Sequence, residues 1–136
     1  MSALAGLKAL VVEDEGSVAF MIEDMLQELG CAIDASVAHL EDARRIAETI
    51  VVDFAVLDVN LNGHPVFPVA EILRRRRIPF IFSTGYGVSG VSEEFRNYPI
   101  LSKPFTMNDL QQKLAAALEQ SERRRARLDE LRRQCG

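Results

Sequence analysis

Short apolar runs alternate with amphipathic segments along most of the 136-residue chain, and this alternation is the strongest constraint on its fold. The runs at 7–12 and 54–57 have the length and apolar content of buried strands. The segments after them repeat apolar residues at helical spacing. This pattern predicts a doubly wound α/β fold, with five parallel strands in the order 2-1-3-4-5 and helices on both faces of the sheet.

The same pattern predicts where each element lies. Strands are expected at 7–12, 31–37, 54–57, 78–82 and 100–101. Helices are expected at 18–29, 40–50, 66–75 and 106–118, with one more short helix capped by Ser92. Thr106 and Asp109 resemble a capping box at the start of the last long helix. The Asn-Gly-His-Pro stretch at 62–65 and the glycine-rich stretch at 85–90 are predicted to be loops.

Acidic side chains follow two of the predicted strands. Glu13 and Asp14 come directly after the first strand, Asp58 ends the third, and Lys103 follows the fifth. Ligands of open α/β sheets bind outside the carboxyl ends of the strands, where these four side chains are expected to meet. Three carboxylates placed together repel one another unless a cation neutralises them. Oxygen ligands of this kind suit Mg²⁺, and a lysine suits a phosphate, so a site for Mg²⁺ and a phosphoryl group is predicted.

Composition argues for an ordinary globular protein without nucleic-acid or membrane partners. The formal net charge is −4 and charged residues make up 26% of the chain, which does not favour a nucleic-acid binder. No apolar stretch of about 18 residues and no signal peptide is found. The only cysteines, Cys31 and Cys135, are interpreted as reduced thiols, and the predicted location is the cytoplasm.

Residues 121–136 differ in charge from the rest of the chain. They contain six arginines and three acidic residues, with Leu128 and Leu131 among them. Pairs such as Glu119 with Arg123 at helical spacing allow this segment to extend the last helix. A homodimer through the helix, an acidic partner and a frayed tail are all alternatives. No aromatic residue lies between the arginines, which weakens a single-stranded nucleic-acid reading.

Four short motifs in this order resemble the receiver domain of two-component response regulators. They are Val11-Val12-Glu13-Asp14-Glu15, Leu57-Asp58-Val59-Asn60, Phe82-Ser83-Thr84-Gly85-Tyr86 and Ser102-Lys103-Pro104-Phe105. The resemblance covers about residues 5–120 and implies a flavodoxin-like receiver fold. Residues 1–120 are accordingly interpreted as a receiver domain, and residues 121–136 as an Arg-rich helical extension or tail.

The resemblance also implies a role for each site residue. Asp58 would be the phosphoacceptor, and Mg²⁺ would be held by Glu13, Asp14, Asp58 and the backbone carbonyl of Asn60. Thr84 would contact the phosphoryl group after activation. Lys103 would pair with the phosphoryl oxygens, with a cis bond to the following proline.

One position departs from the family pattern. Receivers commonly carry an aromatic residue three positions before the lysine, and Ile100 stands there in this chain. The Phe-X-Thr-Gly-Tyr string resembles a receiver subgroup that lacks this aromatic switch. Tyr86 or the loop at 85–90 is therefore expected to report phosphorylation.

The function implied is that of a stand-alone response regulator receiver. It would accept a phosphoryl group from a phosphohistidine on a sensor histidine kinase or a histidine phosphotransfer protein. It would then signal through an unknown downstream protein or act as a phosphorelay shuttle or sink, with no enzyme activity beyond weak hydrolysis of its own acyl phosphate. Three alternatives are a fragment of a longer regulator or hybrid kinase, a Mg²⁺-dependent phosphatase with Asp58 as nucleophile, and a pure interaction module whose site is unused. The intact acidic set and the lysine argue against the last of these. The phosphatase reading is weakened because Asn60 stands where such enzymes often carry a second carboxylate.

Overall fold

Five parallel strands form the central sheet of the computed structural model, which describes residues 4–135. The strands of the chain are β1 (Lys8–Val12), β2 (Ala32–Val37), β3 (Phe54–Asp58), β4 (Asn60–Leu61), β5 (His64–Pro65), β6 (Phe80–Thr84) and β7 (Ile100–Ser102). The sheet has the order β2-β1-β3-β6-β7, and all four of its pairings are parallel. Because β4 and β5 form a separate hairpin, this is the predicted order 2-1-3-4-5, which is confirmed.

Helices cover both faces of the sheet. They are α1 (Gly16–Glu28), α2 (Leu40–Ala47), α3 (Phe67–Arg75) and α4 (Met107–Cys135). Successive residues of a strand point to opposite faces, so the buried strands supply two separate apolar cores. One core joins β1 and β3 to α1 and α4 through Ala9, Val11, Ile22, Leu26, Phe54, Val56, Leu110 and Leu114. The other joins them to α2 and α3 through Leu10, Val12, Ala43, Ala47, Ala55, Leu57, Val69 and Leu73.

The stretch at 62–65 is a hairpin, and the prediction of a plain loop was wrong. Asn60 pairs with Pro65 and Leu61 with His64 in an antiparallel ladder. The two residues between the strands, Asn62 and Gly63, have φ angles of 52° and 85°. A type I′ turn requires positive φ at both central residues, and Asn-Gly is the dipeptide that adopts it at least cost.

The connection between β6 and β7 also differs from the prediction. The structure has two 3₁₀ turns there, Gly87–Gly90 and Glu93–Phe95, and the Ser92 side chain makes no capping hydrogen bond. Phe95 and Tyr98 are both buried in a cluster of aromatic rings. Their spacing of three residues matches the 3₁₀ period, and Pro99 ends the segment before an α-helix can extend.

Helix α4 begins with the predicted capping box. The Thr106 amide donates to Asp109 Oδ2 at 3.0 Å, and the Asp109 amide donates to Thr106 Oγ1 at 3.1 Å. The helix then continues for 29 residues, about 43 Å, so it extends well beyond the sheet that its first half covers. None of the helices within residues 4–135 has the length and apolar character needed to span a membrane.

Candidate functional site

Adjacent strands bring three carboxylates together at the carboxyl edge of the sheet. β1 ends at Val12, immediately before Glu13 and Asp14, and its neighbour β3 ends in Asp58. Carboxylate oxygens of these three side chains all lie within 4.8 Å of one another. Glu13 and Asp58 are only 3% and 6% exposed, whereas Asp14 is half-buried. The sheet therefore holds two nearly dehydrated carboxylates and one that faces solvent in a single cluster.

Lys103 supplies the positive charge of the cluster. Its Nζ lies 2.8 Å from Glu13 Oε1, to which it donates a hydrogen bond, and 3.6 Å from Asp58 Oδ1. The Lys103 amide donates to the carbonyl of Thr84 at 2.9 Å, which fixes the lysine backbone against the end of β6. The bond from Lys103 to Pro104 is cis, as the family resemblance implied. One ammonium group thus stands between two buried carboxylates that come from different strands.

Backbone amides of the hairpin hold the carboxylates in place. The Asn62 amide donates to Asp14 Oδ2 at 2.9 Å, and the Asn60 amide donates to Asp58 Oδ1 at 3.3 Å. The side-chain oxygen of Asn60 accepts a hydrogen bond from the Gly63 amide, which ties the turn to the start of β4. Sequence reasoning missed the part played by Asn62. The sequence feature that could have revealed it is the dipeptide Asn62-Gly63, which predicts a tight turn four residues after Asp58.

The crowding of carboxylates changes their protonation. Burial is the main reason why the pKa of Asp58 is raised to about 8, and hydrogen bonds and repulsion from Glu13 and Asp14 add to it against the opposing charge of Lys103. The pKa of Asp14 is lowered: burial acts to raise it, but hydrogen bonds from Asp58, Glu13 and the Asn62 amide prevail. The pKa of Lys103 is raised because its pairing with Glu13 and Asp58 outweighs its burial. Without a cation, the cluster therefore retains a proton that is centred on Asp58.

These donors fit a small divalent cation. A metal ion bound by Glu13, Asp14 and Asp58 would meet only oxygen ligands, which is the donor set that Mg²⁺ prefers. Within residues 4–135 this is the one cluster of three or more possible ligand side chains that could hold a metal ion. Asn60 lies at the start of the hairpin directly beside Asp58, the position from which its carbonyl was predicted to contribute.

Thr84 is at the site, but its hydroxyl is occupied elsewhere. The residue ends β6, one position after the Ser83 that pairs with Asp58. Its side chain is buried, and Oγ1 accepts a hydrogen bond from the Tyr86 amide at 3.0 Å. A Cβ atom added at Gly90 would lie 3.0 Å from the same Oγ1, so the glycine-rich segment packs closely on the hydroxyl. The sequence predicted Thr84 as a site residue and residues 85–90 as a glycine-rich loop, but it did not predict the direct contact between them.

No aromatic residue lies where many receivers carry one. Ile100 is half-buried within β7 and pairs with Phe82 of β6. Tyr98 is buried and stacked on Phe80, with ring centroids 4.3 Å apart, and its hydroxyl accepts a hydrogen bond from Arg124. Tyr98 is therefore committed to the aromatic cluster and does not replace the missing residue.

Comparison with known families identifies this arrangement. The model of the response regulator receiver domain matches residues 9–115, which include every residue of the cluster. The chain belongs to the response regulator receiver family. The strand order, the acidic cluster and the lysine before a cis proline are thus features of a receiver domain in this chain, as the motifs predicted.

Among curated proteins, the transcriptional regulatory protein TcrA of Mycobacterium tuberculosis is similar to this receiver. The two are 32% identical over 120 residues, which is 83% of this chain and 46% of TcrA. The chain therefore spans about half the length of the curated relatives that it matches.

Three solved structures extend the comparison. SdrG from Sphingomonas melonis Fr1 is 44% identical, with a TM-score of 0.75 over 87% of this chain and 99% of SdrG. SdrG in its BeF₃-activated conformation also matches, at 43% identity, with a TM-score of 0.71 over 84% of this chain and 98% of that structure. The receiver domain of the sensor histidine kinase PA1611 from Pseudomonas aeruginosa PAO1 holds a magnesium ion in its active site cleft. It is 28% identical, with a TM-score of 0.68 over 85% of this chain and 99% of that domain.

Proposed function

We propose that this receiver accepts a phosphoryl group on Asp58 from a phosphohistidine of a histidine kinase or phosphotransfer protein. The observation that carries the proposal is the placement of Lys103, whose ammonium group lies 3.6 Å from Asp58 Oδ1 and 2.8 Å from Glu13 Oε1. If Asp58 served only to form a salt bridge with Lys103, two further carboxylates beside it would not be needed. A nucleophile that must receive an anionic group does need an adjacent cation and a metal site.

The transfer is a substitution at phosphorus. An Asp58 carboxylate oxygen attacks, a bond from oxygen to phosphorus forms, and the bond from phosphorus to the donor imidazole nitrogen breaks. The electron pair of the broken bond stays on that nitrogen, and with the other ring nitrogen protonated the imidazole leaves as neutral histidine. The proton that Asp58 holds in the metal-free cluster is released to solvent before the attack. Lys103 is positioned to leave Glu13 and pair with the phosphoryl oxygens, because its side chain already reaches Asp58.

The residues that would hold Mg²⁺ in this reaction are Glu13, Asp14, Asp58 and the carbonyl of Asn60. The ion supplies charge neutralisation at the phosphoryl oxygens when it is bound. The magnesium ion in the PA1611 receiver supports this assignment for a similar receiver. The hairpin amides of Asn60 and Asn62 contribute by fixing the rotamers of the acidic side chains before any ligand arrives.

The response to phosphorylation is proposed to start at Thr84. When its hydroxyl turns to contact a phosphoryl oxygen, the hydrogen bond that it accepts from the Tyr86 amide is lost. Tyr86 is 74% exposed and directly precedes the glycine-rich turn, so loss of this hydrogen bond acts on a segment at the surface of the receiver. This contact gives a receiver with Ile100 a route from Asp58 to the surface, in keeping with the subgroup that lacks the aromatic switch.

The wider role follows from the same chemistry. A receiver with this site acts as a phosphoacceptor that hydrolyses its own acyl phosphate slowly, and it is not a catalyst of small-molecule turnover. Its output is proposed to be a protein contact that depends on phosphorylation, or transfer of the phosphoryl group onward in a relay.

The test is intact-mass spectrometry after incubation with Mg²⁺ and a small acyl-phosphate donor. The expected product is the full chain plus one phosphoryl group, formed only with Mg²⁺ and absent in Asp58→Asn. Asp129→Asn, which removes an exposed carboxylate on α4, is the matched control and should be modified like the wild type. Failure to form the adduct, together with failure to bind beryllofluoride in the presence of Mg²⁺, would refute the proposal. The BeF₃-activated SdrG shows that a similar receiver takes up this mimic.

A further inference from the structure

The stripe of α4 that packs on the sheet keeps its spacing past the sheet, although the polar residues Ser121 and Arg124 interrupt its apolar positions. Its positions alternate by four and three residues along the whole helix: Leu110, Leu114, Ala117, Ser121, Arg124, Leu128, Leu131 and Cys135. This is the heptad pattern of a helix that packs against another helix. Leu110, Leu114 and Ala117 are buried against the sheet, whereas Leu131 is 44% exposed and Cys135 is exposed. Arg124 packs on Tyr98 and Leu128 is half-buried, so the part of the stripe that the described residues leave exposed is its end, at Leu131 and Cys135.

The arginines beside this stripe are arranged differently from those on the outer face of the helix. On the outer face, Arg123 pairs with Glu119 and Arg133 pairs with Glu130. The positions that flank the stripe are Arg125, Arg127, Arg132 and Gln134. None of these three arginines forms an ion pair with a residue of the described part of the chain. Among the arginines of residues 121–135, those beside the stripe are thus unpaired, as is Arg124 on it; on the outer face Glu122 and Asp129 also form no ion pair with the described residues.

A cavity connects the stripe to the body of the receiver. It has a volume of about 230 Å³ and lies between the middle of α4 and the start of β6, at the opposite end of the sheet from Asp58. Tyr98 and Leu128 line it together with Arg74, Arg77, Arg124 and Arg125. Arg124 is held over the Tyr98 ring, 5.1 Å from its centroid. The cavity thus offers apolar walls inside a basic rim, and its Leu128 lies one helical turn before the exposed Leu131.

We propose that residues 121–135 are a docking surface for an acidic amphipathic helix of another protein. The leucine stripe and the cavity would receive apolar side chains, and the flanking arginines would pair with acidic residues beside them. In helix pairs the residues that flank the apolar seam decide the choice of partner. A second copy of this chain would set arginine against arginine along that seam, so the charge pattern disfavours self-association and favours an acidic partner.

Nucleic acid fits this surface less well than an acidic helix. A phosphate backbone gains nothing from the exposed side chain of Leu131, and Glu122, Asp129 and Glu130 share the same 15-residue stretch with the arginines. The surface is also independent of the phosphoacceptor site, because it lies at the far end of the sheet and includes no residue of the acidic cluster. The inference therefore goes beyond the proposed function and can be tested on unphosphorylated protein.

The test compares two synthetic peptides of four heptads that differ only in the residues flanking a leucine seam. One carries glutamate at these positions and the other lysine, and both are titrated into the full chain with fluorescence anisotropy as the readout. We expect the glutamate peptide to bind at least about tenfold more tightly, a difference of about 1.4 kcal/mol. The preference should shrink as salt is added, because the flanking charges are exposed.

Variants of the chain then distinguish charge-dependent binding from non-specific hydrophobic binding. Reversing Arg125, Arg127 and Arg132 together to glutamate should transfer the preference to the lysine peptide. Replacing the outer-face arginines, Arg123→Gln with Arg133→Gln, should leave the preference for the glutamate peptide unchanged. Circular dichroism of each variant establishes that α4 is still helical when it is compared.

Several outcomes would overturn the proposal. They are equal binding of the two peptides, binding of neither, or displacement of the glutamate peptide by duplex DNA at equal charge concentration. A particle mass of twice 15.2 kDa that falls to the monomer value in Leu131→Ser would assign the stripe to a second copy of the chain instead.

Discussion

Neutralising Asp58 should stabilise the metal-free receiver, although the change removes the proposed phosphoacceptor. The pKa of Asp58 is raised from 3.8 to about 8, mainly by burial and then by the neighbouring carboxylates. Between these two values the folded protein keeps a proton that the unfolded chain releases, so stability falls as the pH rises through this window. In Asp58→Asn no proton has to be lost, and this fall should disappear.

The size of the effect follows from the shift. About four pH units at 1.36 kcal/mol each set an upper limit on the order of 5 kcal/mol at pH 9. The pKa of Asp14 is lowered because hydrogen bonds from Asp58, Glu13 and the Asn62 amide prevail over burial, and this offsets part of the cost. We therefore expect Asp58→Asn to gain about 2–3 kcal/mol at pH 9, or roughly 6–10 °C in Tm for a domain of this size.

Thermal unfolding in the presence of EDTA at pH 5 and pH 9 is the assay. Wild type, Asp58→Asn and the exposed control Asp129→Asn are compared by circular dichroism. The gain of Asp58→Asn should be largest at pH 9 and small at pH 5, and the control should track the wild type at both. An Asp58→Asn protein that melts lower than wild type at pH 9, or gains equally at both values, would refute the reasoning that burial and the neighbouring carboxylates make an ionised Asp58 unfavourable in the folded protein.

Three further predictions concern the rest of the cluster. Lys103→Gln should cost about 2–3 kcal/mol in chemical denaturation, because it leaves a buried carboxylate without its ion pair, and it should slow adduct formation in the mass assay. Gly90→Ala should crowd Thr84 Oγ1 and weaken its bond to the Tyr86 amide, a loss of about 1 kcal/mol that NMR would detect as a shift of that amide. Mg²⁺ at about 100 times its Kd should stabilise the wild type by about 2.7 kcal/mol in thermal melts, and Asp14→Asn should lose most of this gain.

The sheet and the carboxylate cluster could be predicted from the sequence because both depend on strand ends. Continuous apolar runs mark the buried parallel strands, and the residue after each run lies at the carboxyl edge whatever the loops do. This is why Glu13, Asp14, Asp58 and Lys103 could be placed together from the sequence, and the structure brings them within contact. The order of the strands followed from connection rules that hold for most folds of this class.

What could not be predicted depends on local backbone conformation and on tertiary packing. The hairpin requires a positive φ angle at Asn62, and the only sequence signal for it is the dipeptide Asn62-Gly63. The hydrogen bond from the Asn62 amide to Asp14 depends on this turn. The 3₁₀ turns replace a helix because Phe95 and Tyr98 must both reach the aromatic cluster. The periodicity of a single sequence does not show that both residues pack in the same cluster.

Because the strands at the acidic cluster are rigid, a conformational response of the receiver has to occur outside them. Every residue of β3 and β6 is buried, so the strands that carry Asp58 and Thr84 cannot shift without disturbing close packing. The Thr84 hydroxyl is different, because it is bound to the amide of exposed Tyr86 and not to the sheet. Releasing that amide to water costs about 1 kcal/mol, within the range that a ligand-driven shift between two states can supply. With Ile100 fixed in β7, we expect a change at Asp58 to reach the surface through the glycine-rich turn after β6, while the tail of α4 stays available to a partner in both states.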